Sequence, residues 1–114
     1  MSDKSPITTH ILDLGRGQPA AGVKVTLQQI TAEGATQVAS GTTDDDGRIM
    51  HWFDGPLSPG HYRLSFATGD WYDSQGLDTF YPQVSLDFRV DDTRAHYHVP
   101  LLLNQWGYST YRGS

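Results

Sequence analysis

Hydrophobic and polar residues alternate along several short stretches of the chain, which is the pattern of β-strands with one buried face. The alternation is clearest in three runs, whose apolar members are Val23, Val25 and Leu27, then Tyr62, Leu64 and Phe66, then Val84, Leu86, Phe88 and Val90. Clusters of glycine, proline and aspartate separate the runs and indicate turns. We therefore predict strands near residues 7–13, 22–31, 36–42, 48–52, 61–68, 83–90, 96–103 and 107–112.

This number of short strands at this spacing predicts a two-layer, all-β sandwich. One stretch, 70–77, does not alternate, and Asp70 at its start is a residue type that caps helices, so we expect one short helix there. Aspartate favours turns whereas glutamate favours helices, and the acidic residues include only one glutamate, Glu33. The 114 residues are the length of one domain, and we expect residues 1–114 to form it.

Charge and composition exclude several classes of function. The net charge of −5 and the absence of a basic stripe argue against nucleic-acid binding. The chain has no cysteine, so disulfides and thiolate chemistry are excluded. No apolar run approaches the roughly 20 residues that span a bilayer, so we expect no membrane association. The first residues lack an apolar signal core, and we therefore expect a cytoplasmic protein, or a periplasmic one if a leader was removed.

Two strands that are distant in sequence both place histidines on an outer face. If Ile7, Thr9 and Ile11 face the core of the sandwich, then Thr8 and His10 face outward. By the same alternation, Tyr97, Val99, Leu101 and Leu103 face the core, whereas His96, His98, Pro100 and Leu102 face outward. An open sheet face becomes a pocket only when another surface covers it. The pattern therefore points to a site between subunits.

Two motifs also fit metal sites, but weakly. His96 and His98 share one face of a strand, as a pair of metal ligands would, yet no third ligand is assured. The run Asp44-Asp45-Asp46-Gly47 is similar to half of a calcium loop but lacks the distal glutamate, so we expect a tight turn. We expect neither a metal nor another cofactor.

Several segments, in order along nearly the whole chain, resemble the 5-hydroxyisourate hydrolase family, the transthyretin-related proteins of purine catabolism. These segments are residues 8–13 (TTHILD), 19–23 (PAAGV), 43–48 (TDDDGR), 80–82 (FYP), 96–103 (HYHVPLLL) and 111–114 (YRGS). The final Tyr-Arg-Gly-Ser is the most specific, because it separates the hydrolases from the hormone-carrying transthyretins of the same fold. Asn104-Gln105 departs from the family, which commonly has Ser-Pro there, and this puts the local turn geometry in question.

The resemblance implies a transthyretin-like two-sheet β-sandwich of about eight strands with one short helix. It also implies a homotetramer, a dimer of dimers, with active sites at the dimer–dimer interface. The implied reaction is hydrolysis of 5-hydroxyisourate, a small-molecule substrate, to 2-oxo-4-hydroxy-4-carboxy-5-ureidoimidazoline without a cofactor. The alternative is a transthyretin-like carrier of small planar aromatic ligands.

The resemblance also implies site residues, at the positions where this sequence matches the motifs of the family. The implied catalytic residues are His10, Arg48, His98 and Ser114, and the implied substrate-binding residues are His10, Arg48, Tyr111, Arg112, Gly113 and Ser114. Histidine exchanges protons near neutral pH, so either His10 or His98 could activate water. Arg48 could stabilise a developing oxyanion. Ser114 could act through its hydroxyl or through the terminal carboxylate.

Overall fold

The computed structural model describes residues 4–114 and consists of two β-sheets and one short helix. The elements in chain order are β1 (Ile7–Asp13), β2 (Gln18–Pro19), β3 (Lys24–Thr31), β4 (Gly34–Thr42), β5 (Arg48–Ile49), β6 (Gly60–Phe66), α1 (Thr68–Ser74), β7 (Val84–Val90), β8 (Tyr97–Leu103) and β9 (Tyr108–Thr110). Each predicted strand is present. The two-residue strand β2 was not predicted, and β5 is shorter than predicted.

The strands divide into two sheets that pack face to face. In the first sheet the strand order is β2-β1-β8-β9, and β5 pairs with the same edge of β1 as β2 does. In the second sheet the order is β4-β3-β6-β7. All strand pairs are antiparallel except β1 and β8, which run parallel. This parallel pair joins segments from opposite ends of the chain at the centre of the first sheet.

The hydrophobic core lies between the sheets, as the alternation predicted. On β1, Ile7, Thr9 and Ile11 are fully buried. The alternate residues of β8 also face inward and are buried, namely Tyr97, Val99, Leu101 and Leu103. Burying one such aliphatic side chain stabilises the fold by about 1.5–3 kcal/mol. The same packing fixes which residues of β1 and β8 lie on the outer face.

Helix α1 begins earlier than the sequence suggested. The predicted range was 70–77 with Asp70 as the cap, but the helix spans Thr68–Ser74 and its N-cap residue is Ala67. Asp70 lies in the first turn, where a carboxylate is favourable near the positive end of the helix dipole. Trp71 and Tyr72 are buried, and this packing decides where the helix starts. Within residues 4–114, no helix is long and apolar enough to cross a membrane.

The turn between β8 and β9 contains the unusual Asn104-Gln105 pair. The N–H of Asn104 donates to the carbonyl of Gly107 at 2.9 Å and closes the turn. The Gln105 side-chain amide donates to the Asp78 carbonyl at 2.7 Å, and the Thr79 hydroxyl donates to the Gln105 carbonyl at 2.8 Å. These bonds anchor the turn, so β9 still pairs along β8.

Candidate functional site

Strand register brings three of the predicted site residues onto the outer face of the first sheet. His10 of β1 pairs with Arg48 of β5, and two residues earlier Thr8 pairs with His98 of β8. Side chains at directly paired positions lie on the same face of a sheet. His10 and His98 therefore face outward, as the alternation predicted, and Arg48 lies beside His10.

A tight turn before β5 holds the backbone of Arg48 against β1. The carboxylate Oδ1 of Asp44 accepts the N–H groups of Asp46 at 2.9 Å and of Arg48 at 3.0 Å. Gly47 has φ +73°, and a Cβ there would lie 2.5 Å from the carbonyl oxygen of Ile11. Only glycine fits this close approach, so the Asp-Asp-Asp-Gly run forms the expected tight turn and delivers Arg48 to the outer face.

The hydroxyl of Thr8 connects two histidine rings. Its Oγ1 is 2.8 Å from Nδ1 of His98 and 2.9 Å from Nε2 of His96. Thr8 lies on the outer face, as predicted, but it is fully buried. Because Thr8 occupies Nδ1 of His98, the nitrogen of that ring left for a ligand is Nε2.

The end of the chain passes directly over His98. The N–H of Gly113 donates to the His98 carbonyl at 2.8 Å, which continues the register of β9 along β8. A Cβ at position 113 would lie 2.7 Å from Cδ2 of the His98 ring. Glycine therefore permits this contact, and Ser114 follows it as an exposed residue.

Tyr111 and Arg112 occupy the edge of the sandwich. Tyr111 is 57% exposed. The guanidinium of Arg112 lies 4.5 Å from the centroid of the Tyr97 ring, which belongs to the inner face, so the structure does not bring this charge together with His10 and Arg48. A cavity of about 260 Å³ opens here, and its lining includes His98, Tyr111 and Arg112.

Burial and neighbouring positive charge lower the pKa of both site histidines, which favours their neutral form. Burial lowers the pKa of His10 and Arg48 lowers it further, whereas the charges of Asp44 and Asp46 and a hydrogen bond to the Asp46 backbone partly oppose this shift. Burial also lowers the pKa of His98, as do four positive or titratable neighbours: His10, Arg48, His96 and Lys4. A neutral imidazole can accept a proton, which is what a general base requires.

This face combines two imidazoles of lowered pKa with one guanidinium group. Such a set can move protons and stabilise negative charge on an oxygen, which are the two requirements for adding water to a carbonyl group. Across the described part of the chain, no group of three or more histidine, aspartate or glutamate residues is arranged to hold a metal ion.

The contact of Thr8 with the two rings was not predicted. Alternation placed Thr8 outward but could not place it against His96 and His98, which lie 88 and 90 positions away along the chain. The parallel register of β1 and β8 is the missing information, and no local sequence signal carries it.

Comparison with known proteins places this chain in one family. The family model described as HIUase/Transthyretin family matches residues 7–113. A protein named 5-hydroxyisourate hydrolase from Salmonella dublin is 50% identical over 109 residues, covering 95% of this chain and 80% of its own length. The solved structure of Klebsiella pneumoniae 5-hydroxyisourate hydrolase has a TM-score of 0.85 at 37% identity, covering 95% of this chain and 98% of that one. Sea bream transthyretin in complex with thyroxine has a TM-score of 0.89 at 32% identity, covering 95% and 94%.

Proposed function

Because this chain belongs to the HIUase/Transthyretin family, we propose that it hydrolyses 5-hydroxyisourate to 2-oxo-4-hydroxy-4-carboxy-5-ureidoimidazoline. The observation that carries the proposal is the common outer face of His10, Arg48 and His98, set by direct strand pairing. Relatives at this level of identity bear the name of that hydrolase, which supports the same substrate here.

The proposed reaction adds water to the ring amide and breaks its carbon–nitrogen bond. His98 takes a proton from water at Nε2, since Thr8 already occupies Nδ1. Arg48 stabilises the oxyanion that forms on the carbonyl oxygen, because its guanidinium keeps its charge at all working pH values. His10 passes a proton to the leaving nitrogen: it gives up its ring N–H there and takes a proton from solvent at its other ring nitrogen. No cofactor is needed for these steps.

The tail completes the proposed substrate pocket. Gly113 holds the segment against His98, and Ser114 is the next residue along the chain. Ser114 contacts the substrate or a histidine, and Tyr111 offers an exposed ring against which a flat substrate can stack. Arg112 anchors the tail through its contact with Tyr97.

A carrier of planar aromatic ligands is the alternative, since the backbone resembles a thyroxine-bound transthyretin as well as a hydrolase. The shape of the fold does not separate the two functions. The polar set of His10, Arg48 and His98 favours hydrolysis, because two proton-transfer groups beside a cation serve a reaction rather than the retention of an apolar ring.

We also propose that the chain assembles as a homotetramer, a dimer of dimers. The outer face of the first sheet carries Leu12 and Leu102 at paired positions beside the polar set, and both are only partly buried. Water screens charges on such an open face, so Arg48 would bind a substrate weakly there. A second copy that covers this face would turn it into a cleft.

The first prediction tests the catalytic proposal. With 5-hydroxyisourate generated by uricase, decay of its ultraviolet absorbance should accelerate when the protein is added. His98→Ala and Arg48→Ala should each lower kcat by about 100-fold or more, the usual cost of losing a proton-transfer or oxyanion-binding group. His61→Ala is the matched control, because His61 lies on the second sheet, where its side chain is hydrogen-bonded to Asp87. Unchanged turnover in either site variant would remove that residue from the mechanism.

A further inference from the structure

The Thr8 hydroxyl lies between His96 and His98 and has one proton to share. Its oxygen is within hydrogen-bond distance of a ring nitrogen on each side, at 2.9 and 2.8 Å. A hydroxyl donates one hydrogen bond and accepts two. If it donates to one ring, the other ring must present N–H to it. The positions of the protons on the two rings are therefore coupled through Thr8.

The hydroxyl can donate to one of the two rings in two arrangements. In one, Nδ1–H of His98 donates to Thr8 while Thr8 donates to a bare Nε2 of His96. In the other, both bonds run in the opposite direction. Of these two, the first leaves Nε2 of His98 without a proton, which is the state of a base that accepts a proton from water.

Charge around the two rings differs. His98 faces His10 on β1, Arg48 on β5, His96 just before β8 and Lys4 near the chain start, and each of them lowers its pKa in addition to burial. For His96, burial and Lys4 lower the pKa, and the residue itself is exposed. A positive charge is therefore more costly on His98, beside Arg48, than on His96 near solvent.

We propose that Thr8 and His96 form a proton relay behind His98, which rests on the proposed hydrolase function and on His98 as the base. Nε2 of His98 accepts a proton from water as the hydroxide adds to the substrate carbonyl carbon. The Nδ1 proton of His98 passes to Oγ1 of Thr8, while the hydroxyl proton of Thr8 passes to Nε2 of His96. His98 and Thr8 end neutral, and His96 carries the positive charge until its Nδ1–H is released to solvent.

The relay predicts a specific pattern of kinetic defects. Thr8→Val keeps the buried β-branched shape but removes the hydroxyl, so kcat should fall at least about tenfold with little change in KM. Thr8→Ser should restore most of the activity. His96→Ala should also lower kcat with little change in KM, and Thr8→Val combined with His96→Ala should be no worse than Thr8→Val alone, as for residues that act as one unit.

Thr36→Val is the matched control, since Thr36 is exposed on β4 of the second sheet. The pH dependence provides a further readout. Because His96 is one of the groups that lower the pKa of His98, its removal should move the acid limb of kcat/KM to higher pH. His96→Ala also keeps the test decisive if Thr8→Val does not fold, because His96 is exposed.

Nitrogen NMR of ¹⁵N-histidine-labelled protein tests the relay without any assay of activity. In the wild type, Nδ1 of His98 should carry the proton and Nε2 should be bare, with resonances identified by their loss in His98→Gln. Thr8→Val should abolish this preference, and Thr8→Ser should keep it. A wild-type kcat in both Thr8→Val and His96→Ala, or an unchanged His98 tautomer in Thr8→Val, would overturn the relay. If the wild type hydrolyses nothing while the tautomer pattern holds, the proposed function fails and the hydrogen-bond coupling stands.

Discussion

Gly113 is the residue at which the tail meets the candidate site. Its N–H donates to the backbone of His98, and its α-carbon lies so close to the His98 ring that a side chain has no room. The contact therefore fixes two things together, the path of the tail and the position of a proposed base. Thr8 constrains the opposite side of the same ring. His98 is held between a buried hydroxyl and a glycine.

Gly113→Ala should lower kcat/KM at least about tenfold while the protein stays folded. The added Cβ would lie 2.7 Å from Cδ2 of His98, so either the ring or the tail must move. Steady-state kinetics and a thermal melt measure the two effects separately. Gly107→Ala is the control, since a Cβ at position 107 meets no atom within 4 Å. Equal kinetics for the two variants would show that the close contact has no catalytic consequence.

At the scale of elements, the segment between β4 and β5 is a small scaffold for Arg48. Asp44 closes it with two backbone hydrogen bonds, and Gly47 allows it to touch β1. Thr43 ties its start to the neighbouring loop, because its hydroxyl donates to the Ala20 carbonyl and accepts the N–H of Val23. A two-residue strand such as β5 has little stability of its own, so these bonds determine where Arg48 lies.

Asp44→Ala should reduce activity more than it reduces stability. The freed N–H groups are near solvent and can bond to water, so the loss of stability should be about 1 kcal/mol. The backbone of Arg48 becomes less fixed, and kcat should fall severalfold. Asp44→Asn keeps the accepting oxygen and should behave nearly as wild type, whereas Asp45→Ala is a neighbouring control at an exposed position. Kinetics and urea unfolding of the three variants test this, and wild-type kcat in Asp44→Ala would contradict it.

The strands of this fold follow from local pattern, but the pairing of distant strands does not. Ile7, Thr9 and Ile11 alternate because one face is buried, so the faces of β1 are readable from sequence. The pairing of Thr8 with His98 depends on contacts across 90 residues, which no local pattern encodes. The predicted start of α1 was wrong for a related reason, because burial of Trp71 and Tyr72 outweighed the capping preference of Asp70.

At the scale of the whole molecule, the outer face of the first sheet carries apolar side chains that a fully solvated surface would not need. The outer face of the first sheet combines the polar set with partly buried leucines on β1 and β8. Helix α1 follows β6 of the second sheet, and its Trp71 and Tyr72 pack into the core between the sheets. We therefore expect a second copy to pack on the outer face of the first sheet, which carries Leu12 and Leu102.

In solution the protein should have a mass near four times that of the 12.6 kDa chain, measured by light scattering during size-exclusion chromatography. Leu102→Glu should shift the measured mass toward that of a dimer and lower activity, because a charge on the outer face of the first sheet opposes its packing against a second copy. Leu77→Glu, after helix α1, is the control at an exposed leucine. A fully active monomer would contradict the assembly and the covered site together.

The parallel pairing of β1 with β8 also affects how the protein is made. Thr8 and His98 are 90 residues apart, and at roughly 5–20 residues per second a ribosome needs on the order of ten seconds to synthesise the intervening chain. During that time the nascent β1 exposes Ile7 and Ile11 without its central partner. A chain cut short before β8 lacks the parallel strand pair at the centre of the first sheet, and it also lacks His98. The proposed site can therefore form only after β8 has been synthesised, long after β1.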